Sequence, residues 1–166
     1  MGNDSTKANT NVYFLARKQA AKYDERLCSR ESAADLIGVS SSSLADYELG
    51  QTKVVPVDKV AIMAEVYHAP QLKTLYCKHE CPIGKLLAVS TEVKTIERVT
   101  LGLLGQLDLR KLEDIKKTLI DVSLNEREDL DELKELQEIR FYFDKLQEKI
   151  SELTLLCDKR EADSKW

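Results

Sequence analysis

Apolar residues recur at intervals of three and four along most of the chain, the spacing of helices with one buried face. Val12, Leu15, Ala16, Ala20, Tyr23 and Leu27 predict an amphipathic helix over 12–27. Ser29 is placed to cap a second helix, whose Ala33, Ala34, Leu36 and Ile37 make a small apolar face. Gly38 ends it, because glycine takes a positive φ without steric cost. Ser40 caps a third helix with Leu44 and Tyr47 inward, and Gly50 closes it. After Pro56, Asp58 or a neighbour caps a fourth helix carrying Val60, Met63, Ala64 and Tyr67 on one side. Ala69-Pro70 breaks the chain, and residues 71–77 predict a short fifth helix using Leu72, Leu75 and Tyr76.

The second half is also helical by pattern. Leu86, Val89, Val93, Ile96, Val99, Leu103 and Leu107 predict one helix, with Gly102 and Gly105 allowing close approach or termination near its end. Asp108 caps a helix with Leu112, Ile115 and Leu119 inward. Asn125-Glu-Arg-Glu128 resembles a capping box and opens a long helix to about Lys159. Along it Leu136, Ile139, Phe143, Leu146, Ile150, Leu153 and Cys157 alternate steps of three and four, a heptad seam. Phe141, Tyr142, Leu155 and Leu156 lie off that seam, so the apolar face is wider than a two-stranded coiled coil needs. A helical bundle or a dimer interface fits it better; an intramolecular three-helix bundle without a partner is the alternative.

Within the first half, residues 29–50 read as helix, glycine-centred turn and helix, the parts of a helix-turn-helix. The run Ala33-Ala-Asp-Leu-Ile-Gly-Val-Ser-x-x-x-Leu-x-x-Tyr-Glu-x-Gly50 resembles the core of the Xre/Cro family of phage-type repressors. That family typically reads Leu-Ala-x-x-Leu-Gly-Val-Ser-x-x-x-Ile-x-x-Trp/Tyr-Glu-x-Gly. The match is gapless over about 18 positions, and the likeness extends over roughly residues 13–78. It implies an all-α chain with a five-helix repressor-like DNA-binding domain over 11–78. A hinge over 79–85 and a helical bundle or coiled-coil extension over 86–160 follow, with residues 1–10 and 161–166 as flexible ends.

The resemblance also implies site residues. The second motif helix lies in the major groove, which places Ser41, Ser42 and Asp46 toward the bases with Ser43 beside them. Arg30 matches a phosphate-contacting position, and Lys53 and Thr52 fall in a loop that lies against the sugar-phosphate backbone. Arg17 is a further DNA-contact candidate, with Lys18 or Lys22 beside it. In many members an arginine in Arg17's helix pairs with the glutamate that is Glu48 here. The serines depart from the usual pattern, since Arg, Gln, Lys or Asn normally make the bidentate base contacts. Nothing basic lies between Glu31 and Thr52. A helix-turn-helix retained as a scaffold is therefore the competing expectation.

Charge sharpens the picture. The chain is net −4, which is not the signature of a nucleic-acid binder. Residues 1–78 hold 10 basic and 9 acidic side chains, and residues 79–166 hold 15 and 20. DNA binding must therefore rest on a local basic patch. No apolar run approaches the roughly 18 residues of a membrane span and no signal-peptide pattern opens the chain, so a cytoplasmic protein without membrane partners is expected. Four cysteines then read as free thiols. Cys77, His79 and Cys81 bring three metal-type ligands within five residues, but without the usual zinc spacing. A helix end and hinge, with the cysteines as small apolar packing residues, is the favoured reading of them, and no metal or other cofactor is assigned.

No phosphate-binding glycine loop, catalytic triad or paired carboxylate stands in a recognisable setting, so no enzyme is expected. The expectation is a sequence-specific transcriptional regulator that binds double-stranded DNA as a homodimer, with Leu136, Ile139, Phe143, Leu146, Ile150 and Leu153 at the dimer seam. The alternative is an adaptor whose acidic helical extension binds a protein partner.

Overall fold

The computed structural model describes residues 10–125 and 130–166. Every regular element among them is helical. The chain forms two compact units. One runs to Leu87 and includes Cys157–Trp166; the other is Ala88–Leu156.

The first unit contains α1 (Val12–Ala20), a 3-10 turn (Glu25–Leu27), α2 (Arg30–Ile37), α3 (Ser41–Glu48), α4 (Val57–Val66), α5 (Gln71–His79) and a second 3-10 turn (Gly84–Leu86). The local signals explain most of the boundaries. Ser29 Oγ accepts from Ser32 N, and Ser40 Oγ accepts from Ser43 N. Gly38 and Gly50 take φ of 71° and 67°, the left-handed region that suits glycine. Leu27, Ile37, Leu44, Val60, Met63 and Leu72 are enclosed at its centre, where α2 packs on α3 and α4, and α4 on α5. Burying a side chain of that size contributes about 1.5–3 kcal/mol.

Three expectations are corrected here. The helix drawn over 12–27 stops at Ala20, because Asp24 accepts from Arg26 N and starts a separate turn. Its inward face is Tyr13, Ala16, Arg17 and Ala20, leaving Leu15 and Tyr23 exposed. That face is rotated toward Arg17, whose ion pair is described below. Asp58 does not cap α4. Pro56 occupies the cap position, its φ of −55° already suited to a helix start. α5 extends through His79, so the first hinge residue is helical.

Residues 157–166 pack within the first unit. His68 Nδ1 and the Ala162 carbonyl share a hydrogen bond, and Lys159 Nζ donates to the His68 carbonyl at 2.9 Å. The 161–166 stretch set aside as a loose end thus carries tertiary contacts.

The second unit contains α6 (Ile96–Gln106), α7 (Leu109–Asn125) and α8 (Leu130–Asp163) up to Leu156. The helix expected from Leu86 begins only at Ile96, after residues 88–95 in irregular backbone. The Ser90 hydroxyl accepts from Glu92 N and donates to its carbonyl, and this local competition for backbone groups disfavours helix. Val99, Ile115, Ile139, Leu155 and Leu156 are buried. A Cβ on Gly102 would lie 3.3 Å from Lys149 Cδ, so α6 and α8 approach closely there. Asp108 Oδ1 caps α7 through Arg110 N and Lys111 N. Within α7 Leu112 is half-buried and Leu119 exposed. Of the capping-box signal over residues 125–128, Asn125 is the last residue of α7, and residues 126–128 lie outside the described residues.

Glu152 is buried at 1% exposure and accepts from Lys94 at 2.6 Å and Lys149 at 2.7 Å. Burial would raise its carboxyl, but the hydrogen bonds from the two lysines outweigh this and hold it below the ordinary range. Along the heptad seam Ile139 is buried; Leu136, Leu146 and Leu153 are half-buried; Phe143 and Ile150 are exposed. Among the described residues no helix is long and apolar enough to cross a membrane.

Candidate nucleic-acid interface

Helix α3 is held from its C-terminal end. Glu48, its last residue, is 0% exposed. Its carboxylate accepts from Arg17 Nη2 at 2.9 Å and Arg30 Nε at 2.7 Å, and Arg17 Nε completes a two-pronged pair. Arg17 Nη1 donates to the Leu27 and Cys28 carbonyls, so one guanidinium ties α1, α3 and the first 3-10 turn together. Burial works against the Arg17 charge. The Glu48 hydrogen bonds and charge outweigh it and raise its pKa above the ordinary arginine value.

The pairing of Arg17 with Glu48 is as the resemblance implied. It also removes Arg17 from the surface contact set, since the side chain is 2% exposed. Arg30 is half-buried and shares Glu48, with its side chain 36% exposed. Sequence reasoning missed that Arg30 joins this pair. The signal was present: Ser29 starts α2, so Arg30 stands in its first turn.

At the other end of α3, the cap serine organises its neighbours. Ser40 Oγ lies 2.9 Å from Ser42 Oγ and 2.8 Å from Ser43 Oγ. Ser42 is exposed; Ser41, Ser43 and Asp46 are half-buried. The three hydroxyls thus form one short network at the helix start, able to donate or accept.

The loop after α3 is fixed at both sides. Gln51 N and Thr52 N donate to the Asp46 carbonyl at 2.9 and 3.4 Å. Further on, Val55 N donates to Glu80 Oε2 at 3.0 Å, and Tyr13 Oη donates to Glu80 Oε1 at 2.7 Å. Burial, reinforced by the Glu80 hydrogen bond and charge, pushes the Tyr13 phenol far up, so it stays a donor. Lys53 is exposed and Thr52 half-buried on this tethered loop. Glu80 was a second positioning residue that sequence reasoning missed; its contact to Tyr13 spans 67 positions and leaves no local signature. Lys18 and Lys22 are exposed on α1 and the residue pair after it, and Lys22 Nζ donates to Gln19 Oε1 at 2.7 Å.

The cysteine-rich stretch does not gather into a ligand cage. Cys77 and Cys81 are half-buried, His79 is exposed, and Cys81 Sγ accepts from Gly84 N at 3.4 Å. Among the described residues no three His, Cys, Asp or Glu side chains converge as a metal ion requires. Gly84 packs so tightly on the Cys77 backbone that an added Cβ would lie 2.3 Å from the Cys77 carbonyl oxygen. No family model matches the chain, and no curated protein or solved structure matches it.

Proposed function

We propose that the protein is a sequence-specific DNA-binding regulator of the Xre/Cro repressor type, with residues 29–50 as its helix-turn-helix and α3 as the recognition helix. The observation that carries this reading is the Glu48–Arg17–Arg30 cluster. It fixes the C-terminal end of α3 to two neighbouring helices while the Ser40–Ser43 hydroxyls and Lys53 remain at or near the surface. A helix held in this way presents its exposed side rigidly, as base reading requires.

In this reading Lys53, Thr52 and Arg30, with Lys18 or Lys22, contact phosphates and give most of the affinity. Ser41, Ser42, Ser43 and Asp46 supply selectivity, aided by water and DNA shape. Arg17 acts as a positioning residue behind α3. The protein works as a cytoplasmic homodimer without enzymatic activity or cofactor, since two half-sites about one helical turn apart call for two-fold symmetry. The exposed Phe143 and Ile150 support a partner on the seam. The exposed apolar residues of α6 and α7, Leu101, Leu104 and Leu124, favour a second reading, in which the extension binds another protein.

A salt titration of binding to random-sequence duplex tests the reading. It predicts that affinity falls steeply with salt. Binding that is absent at low salt would overturn it.

A further inference from the structure

Trp166 is seated in a groove of the first unit. Its ring stacks on His68 at a centroid distance of 3.9 Å and 22°, and on Tyr23 at 5.6 Å and 24°. Open space borders it twice. One cavity of about 320 Å³ is lined by Ala20, Tyr67 and Gln71 together with these three rings, and another of about 390 Å³ by Leu36, Val66 and the same three. The indole thus lies in a slot with unfilled space beside it, since Trp166 lines both cavities.

We infer that this slot is an indole-recognition site, filled in cis by Trp166, that accepts a small indole ligand when residues 157–166 release it.

His68 forms one wall of the slot. It holds φ of 49°, a left-handed conformation uncommon for a residue other than glycine. That backbone is held while the ring stacks on the indole and its Nδ1 engages the Ala162 carbonyl. The conformation is the left-handed cap that ends α4, with His68 N donating to the Glu65 carbonyl and Ala69 N to the Ala64 carbonyl, and it turns the ring toward the indole. Lys159 Nζ, bonded to the His68 carbonyl and to Asp163 at 2.6 Å, fastens the same segment from the helix side.

The occupant is exchangeable. Trp166 remains 42% exposed and Tyr23 64%, whereas the core residues behind them are enclosed. Leu27, Leu44 and Met63 line neither cavity beside Trp166, so its release leaves them enclosed. A tethered occupant competes as if present at about millimolar concentration, so the free ligand binds the intact chain more weakly than a chain lacking the plug. The inference stands on the first unit alone and does not rest on the DNA-binding reading.

Trp166 is the sole tryptophan of the sequence, so Trp166→Ala leaves a full-length protein in which added indole is the only indole fluorophore. The experiment titrates that variant into indole and follows the indole emission. The expected result is a saturable blue shift. It should weaken at least roughly tenfold with His68→Asn in the same background, since asparagine keeps the left-handed backbone and removes the ring. Ligand-observed NMR on the wild type should show indole binding roughly tenfold weaker than to Trp166→Ala. No saturable shift with folded Trp166→Ala overturns the inference, as does a shift indifferent to His68→Asn. A concentration-dependent dimer of the wild type that disappears in Trp166→Ala, without indole binding, also overturns it and assigns the slot to a second copy.

Discussion

Arg17 and Glu48 meet as a buried two-pronged ion pair, with Arg17 Nη2 to Glu48 Oε2 at 2.9 Å and both side chains within 2% of complete burial. This pair, rather than apolar packing alone, sets the inward face of α1 and the seat of α3. Breaking such a pair strands a charge, so Arg17→Ala or Glu48→Ala should destabilise the first unit by about 3–5 kcal/mol in urea unfolding. Replacing both with Met and Leu should cost far less than either alone. A single variant as stable as the wild type would contradict the role given to the pair.

Gly38 provides a second check on the turn between α2 and α3. At φ of 71° an L side chain is strained, although the nearest atom to an added Cβ is Lys59 Nζ at 3.8 Å, so space is not the constraint. Gly38→Ala should therefore destabilise by about 1–2 kcal/mol from backbone strain alone. A stabilised variant, as expected for alanine in ordinary helix, would count against that turn geometry.

The second unit should be acid-sensitive through Glu152. Its carboxyl lies below the ordinary value of 4.5 in the folded state. A depressed carboxyl contributes stability that is present above its unfolded value and lost as the pH falls through its folded value. Unfolding followed between neutral and acidic pH should show a loss below pH 4.5 that Glu152→Gln lacks. Equal acid sensitivity in the two proteins would remove Glu152 as its source.

Phe143 and Ile150 test the homodimer. Both are exposed at 41% and 50%, one heptad apart on α8. In sedimentation equilibrium Phe143→Glu together with Ile150→Glu should shift a dimer to monomer while circular dichroism stays helical. A wild-type monomer at micromolar concentration, or a dimer unaffected by the pair, would contradict the seam.

The parts of this fold that were legible in the sequence are those written locally. Ser29, Gly38, Ser40 and Gly50 each act within a few residues of themselves, and each does what its chemistry indicates. The inward face of α1 was misread because Arg17 answers to a glutamate 31 positions away, and an arginine does not register as a buried position in an apolar count. Residues 86–95 were misread for a different reason. Leu86, Val89 and Val93 fall at helical spacing, yet Ser90 turns its hydroxyl to its own neighbours' backbone. The seating of Trp166 on His68 joins two positions far apart in the chain and has no local signature. At the candidate interface, the serines were legible as residues. Their shared network around Ser40 Oγ emerges only from the first turn of α3.

Two substitutions separate affinity from selectivity. Lys53→Ala should weaken binding to every duplex and lower the salt slope by roughly one unit, since it removes one phosphate contact. Ser42→Ala should leave the slope alone and alter preference at one base position. An unchanged selected motif and affinity in Ser42→Ala would remove Ser42 from base reading.

The central claim is that α3 reads DNA, and selection from a random duplex pool at near-physiological salt, followed by a salt titration on the winner, tests it most directly. The account predicts an enriched palindrome with half-sites about one helical turn apart and a steep fall of affinity with salt. No enriched sequence, with only weak binding that does not distinguish one duplex from another, would contradict it and leave the helix-turn-helix as a scaffold for a protein partner.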